Sequence, residues 1–122
     1  MVDETSELSL GHVIREARVH ARLSLRELAK RVSKTPSYLS DIENDRRVPS
    51  EEVLRSIGQV LGLQFDDMMA RAGRLGEQTL RYLRQHPLAG VLFRHLAKLN
   101  ASEADLRALL KRVEDLRKKE RE

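Results

Sequence analysis

Helix-start signals recur along this chain at intervals that leave room only for a run of short helices. The sharpest is Ser24-Leu25-Arg26-Glu27, a capping box in which the serine hydroxyl and the glutamate three residues on each satisfy a backbone N–H. Thr35 offers another cap, with Pro36 at the first helical position, where its missing N–H costs nothing. Ser9, Ser50, Asp66 and Ser102 read as further starts, and Gly62 and Gly73 as left-handed stops. Between these marks the apolar residues fall at helical spacing: Val13, Ile14, Ala17 and Ala21; Leu25, Leu28, Ala29 and Val32; Leu39 and Ile42; Val53, Leu54, Ile57, Val60 and Leu61. Met68 and Met69 belong to the core of a short fifth helix. The expected fold class is all-α.

Arg74-Leu75-Gly76 is the one plausible internal boundary, which divides the chain into regions 8–73 and 77–119. Beyond it the signals predict helices over 77–85, 87–99 and from Ser102 to about Lys119. In the last of these Leu106, Leu109, Val113 and Leu116 form an apolar stripe flanked by Arg107, Lys111, Arg112, Asp115 and Lys118. Two of the three helices can cover each other's apolar residues, and the third leaves a face over. A homodimer joined through that stripe is the economical account, against an extended monomeric bundle.

Composition narrows the function. The 122 residues include no cysteine, which excludes disulfides, thiolate catalysis and sulfur-rich zinc sites. The four histidines form no i, i+3 or i, i+4 pair, and nothing sets a nucleophile beside a base, so no metal, cofactor or catalytic residue is expected. No apolar run nears the roughly 18 residues of a membrane span, and Asp3-Glu4 does not suit a signal peptide. A cytoplasmic protein with no membrane partner is the expectation. The net charge is +4, but residues 15–47 alone hold nine basic and five acidic side chains. Such a segment suits nucleic acid, although a solvated helix face would also account for it.

Two short helices joined by a tight turn, the second opening on polar residues, form a helix-turn-helix arrangement. Its surroundings sharpen the signal: Gly11, Ile14-Arg15, Arg18, Leu23-Ser24, Glu27-Leu28-Ala29, Tyr38-Leu39-Ser40, Ile42-Glu43, Pro49-Ser50, Leu54 and Leu63. In these residues the chain resembles the lambda-repressor-like, XRE-type DNA-binding domain of bacterial and phage regulators. The resemblance implies a five-helix DNA-binding domain followed by a three-helix dimerisation or interaction region.

By that resemblance Pro36, Ser37 and Asp41 face base edges. Arg26, Lys34, Thr35, Tyr38 and Ser40 approach the DNA backbone, Arg46 and Arg47 the backbone or the minor groove, and Arg18 and Glu43 form an internal ion pair. Ser37 can bond to many bases, whereas Asp41 accepts only from a donor such as the cytosine amino group. The chain departs from the common pattern at Leu25, where many relatives have Gln, and at Ser33 and Asp45, where they have Gly. Pro36 offers no donor, only apolar surface for a thymine methyl.

The implied function is a sequence-specific regulator, a repressor that binds a palindromic operator in double-stranded DNA as a homodimer. Among similar regulators, some lose activity when an ImmA/IrrE-type peptidase cuts their tail. An antitoxin that neutralises a toxin partner is the competing reading, and a helical adaptor without DNA is a third.

Overall fold

The computed structural model describes residues 8–121; Asp3-Glu4 lies outside them. Among the described residues there are eight helices and no strand: α1 (Leu10–His20), α2 (Leu25–Arg31), α3 (Pro36–Glu43), α4 (Glu51–Leu61), α5 (Phe65–Arg71), α6 (Gly76–Gln85), α7 (Pro87–Leu99) and α8 (Glu103–Arg121). The chain divides between Gly76 and Glu77 into two compact units. Among the described residues, no helix is long and apolar enough to cross a membrane, and no group of three or more His, Asp or Glu side chains is placed to hold a metal ion.

The first unit is built from its caps inward. Ser9 accepts from the His12 N–H and Ser50 from the Val53 N–H, at 3.1 and 3.2 Å. The Ser24–Glu27 box closes with both bonds at 3.0 Å. Each bond satisfies a backbone donor that the helix cannot pair internally. Gly62 ends α4 at φ 71°, a conformation in which a Cβ is costly. The five helices then bury Leu10, Ile14, Leu28, Leu39, Ile42, Leu54, Ile57 and Met68 in one core. Each side chain so buried contributes roughly 1.5–3 kcal/mol. Helix α3 lies against both α1 and α2. Gly11 sets how close α1 comes to the end of α3, since a Cβ there would stand 2.6 Å from the carbonyl oxygens of Ile42 and Glu43.

Two local expectations are corrected. Helix α5 starts at Phe65, after a Gln64 cap that makes no side-chain hydrogen bond, so Asp66 is a first-turn residue and not the cap. The earlier start lets Phe65 pack on the core, and Asp67 instead pairs with Arg71 at 2.8 Å. Ala21 is exposed, because α1 has ended at His20 and the chain turns away through Arg22 at φ 60°.

In the second unit Pro87 opens α7, Asn100 ends it at φ 54°, and Ser102 and Asp105 form a reciprocal capping box for α8 at 3.1 Å each. None of α6, α7 or α8 has a fully buried residue. Leu83 and Leu96 are half-buried.

Candidate nucleic-acid interface

Helix α3 has an inner and an outer face, fixed by its spacing. Leu39, Ile42 and Glu43 point into the unit and are buried. Ser37, Ser40, Asp41 and Asn44, spaced 3 and 4 apart, share the opposite side. Pro36 and Ser37 are exposed at the start of the helix. Ser40 is occupied locally: Asn44 Nδ2 donates to its carbonyl oxygen at 2.8 Å and to its hydroxyl at 3.3 Å. Asp41 is half-buried and lies 3.6 Å from Arg46 Nη1.

Cations gather at one end of this face. The turn between α2 and α3 passes through Ser33 at φ 57°, which lets the Lys34 N–H donate to the Ala29 carbonyl at 2.9 Å. Thr35 accepts from the Tyr38 N–H at 3.1 Å and so fixes the first turn of α3. The half-buried Tyr38 ring is flanked by Lys34 Nζ at 5.4 Å and by the Arg47 guanidinium at 4.9 Å. A ring quadrupole in this position attracts both charges and holds them at the surface. Neither cation joins an ion pair among the described residues. Lys34, Thr35, Tyr38 and Arg47 are thus brought together. Arg26 is exposed in the first turn of α2.

Beneath this surface Arg18 and Glu43 form a two-bonded pair, Nε to Oε2 at 2.7 Å and Nη2 to Oε1 at 3.0 Å. Arg18 Nη1 also donates to the Leu23 carbonyl at 3.0 Å. The hydrogen bond to Glu43 raises the Arg18 pKa, with burial opposing it. These bonds tie α1, the α1–α2 turn and the end of α3 into one frame, and both charges are spent inside it.

One positioning residue escapes sequence reasoning. Asp45, at φ 57° just after α3, accepts the Gly11 N–H at 3.0 Å and anchors the loop to the start of α1. Its partner lies 34 residues away, so no local pattern reveals the bond. What can be read is an acid at a position that favours glycine.

With four exposed donors (Lys34, Ser37, Arg46 and Arg47) on or beside an accessible helix, the arrangement can meet a polyanion and hydrogen-bond acceptors together. Residues 9–72 match the family described as Helix-turn-helix domain. An uncharacterized HTH-type transcriptional regulator of Mycobacterium tuberculosis is 38% identical over 65 residues, 53% of this chain and 46% of that protein. The HTH-type transcriptional regulator DdrOP3 of Deinococcus deserti is 32% identical over 97 residues, 80% of this chain and 68% of that protein. Among solved structures, the clp gene regulator ClgR of Corynebacterium glutamicum aligns at 34% identity and a TM-score of 0.47, over 68% of this chain and 85% of that one. The chain spans less than half the length of several curated relatives that it matches. With more than half of its residues matched to the family and most of its length matched to an HTH-type relative, the chain belongs to the helix-turn-helix family, in its XRE-like form.

Proposed function

We propose that the chain is a transcriptional repressor that binds double-stranded DNA, with α3 in the major groove. The observation that carries this reading is the pairing of an exposed polar α3 face with Lys34 and Arg47, held beside it by the Tyr38 ring. Pro36 and Ser37 meet base edges at the start of the helix, and Asp41 faces the groove one turn further on. Lys34, Thr35, Tyr38 and Arg47, with Arg26 on α2, meet phosphates on either side. Relatives named as transcriptional regulators, and a phage immunity repressor 30% identical over 75 residues, support the same role.

One such module makes too few contacts to select a site alone, and the uncovered stripe on α8 gives the chain a means to dimerise. A two-fold dimer requires a palindromic operator with half-sites about 10 base pairs apart, or a multiple of that. Hydroxyl-radical footprinting on the DNA upstream of the protein's own gene tests this. Two symmetric protected patches on one face of the duplex are expected. A single asymmetric patch contradicts the dimer, and no protection at low salt contradicts DNA binding.

A further inference from the structure

Arg46 and Arg47 are neighbours in sequence, and electrostatics alone would give them one task. Their surroundings differ. The Arg47 guanidinium is drawn to the Tyr38 ring, at the start of α3. Arg46 is tied to the other end of the helix twice, by its own N–H donating to the Asp41 carbonyl at 2.8 Å and by its guanidinium standing 3.6 Å from the Asp41 carboxylate. Asp41 lies on the outer face of α3, four residues after Ser37.

A carboxylate on a face turned toward DNA is repelled by phosphate unless a cation neutralises it. Arg46 supplies that cation. The Arg46 side chain is 69% exposed, and its Nη1 stands 3.6 Å from the carboxylate, a charge contact longer than a hydrogen bond that leaves the guanidinium donors uncommitted. Their fork suits two acceptors in one plane, which the major-groove edge of guanine presents as O6 and N7. Asn44 does not compete for Asp41, because its amide is committed to Ser40.

We propose that Arg46 reads a guanine in the major groove and that Asp41 is its positioning residue, acting through the guanidinium instead of contacting a base itself. Arg47 is left as the phosphate contact. The assignment rests on the DNA-binding reading above.

The test is selection of full-length protein on a randomised duplex library, with circular dichroism on each variant to check folding. The variants are Arg46→Ala, Arg47→Ala, Asp41→Ala, Asp41→Glu and the Arg46→Ala/Asp41→Ala double mutant. Arg46→Ala should lower the guanine preference at one position of each half-site about tenfold and leave other positions unchanged. Asp41→Ala should blur preference at that same position, Asp41→Glu should keep it, and the double mutant should match Arg46→Ala alone. Arg47→Ala should weaken every sequence alike. An equal loss on all sequences with Arg46→Ala overturns the assignment, as does a change of preference on removing Asp41 when Arg46 is already absent. If the wild-type chain binds duplexes but selects no sequence, base reading by Arg46 falls while DNA binding stands. If it binds none, both fall.

Discussion

Among the described residues of the first unit, Arg22, Ser33 and Asp45 hold left-handed backbone without being glycine, and what each side chain does decides the cost of replacing it. A Cβ in this conformation costs roughly 1–2 kcal/mol. Ser33 makes no side-chain hydrogen bond among the described residues and holds φ 57°, so Ser33→Gly should raise unfolding stability by about 1 kcal/mol in a chemical-denaturation titration. Asp45→Gly removes the same strain but also the bond to the Gly11 N–H, worth about 1 kcal/mol, so its net effect should be near zero. A clear loss of stability with Ser33→Gly would show that the serine has a partner in solution. Arg18 and Glu43 are a different case, because their side chains are only 13% and 5% exposed. Removing one partner strands a buried charge, so Arg18→Ala should destabilise by about 3–5 kcal/mol in the same titration. A cost under about 1 kcal/mol would mean that water reaches Glu43 freely. The Arg18 pKa is raised, so on the alkaline side its stabilising contribution is fully present below the unfolded value and is lost as pH rises through the folded value.

At the scale of elements, α2 depends on its capping box. The bonds from the Ser24 backbone N–H and hydroxyl hold the Glu27 carboxyl below its usual pKa. A depressed carboxyl stabilises above its unfolded pKa, and the gain is lost as pH falls through the folded value. The melting temperature of wild type should therefore exceed that of Glu27→Ala at neutral pH, and the gap should close in acid. A gap that persists unchanged in acid would point to a role other than the ionised cap. The same caps explain what was legible in the sequence. Ser24–Glu27, Thr35–Pro36 and Ser102–Asp105 act within three residues, so the pattern alone locates α2, α3 and α8. Asp66 misled because an acid near a helix start favours the first turn as well as the cap, and packing of Phe65 decided between them. Links across the fold were not legible. The Asp45–Gly11 bond depends on how α1 meets the end of α3, and the separation of Arg46 from Arg47 depends on which end of α3 each side chain reaches.

The whole molecule combines a well-buried unit with one whose described apolar side chains are at most half-buried. Leu106, Leu109, Val113 and Leu116 are between 41% and 60% exposed, although each would contribute roughly 1.5–3 kcal/mol if covered. A second copy meeting this stripe would cover it. Leu109→Asp with Val113→Asp should then convert a dimer to a monomer in light scattering and lower operator affinity while the helical content persists. A wild-type monomer at tens of micromolar contradicts that role for the stripe. The central claim, that α3 and its flanking cations engage duplex DNA, is tested most directly by fluorescence anisotropy on the protein's own upstream DNA across a salt series. The log of the association constant should fall linearly with the log of salt, and replacing Lys34 and Arg47 together with Ala should flatten the slope by about one to two units. Absence of binding at low salt, or a slope unchanged by the double substitution, would contradict the account.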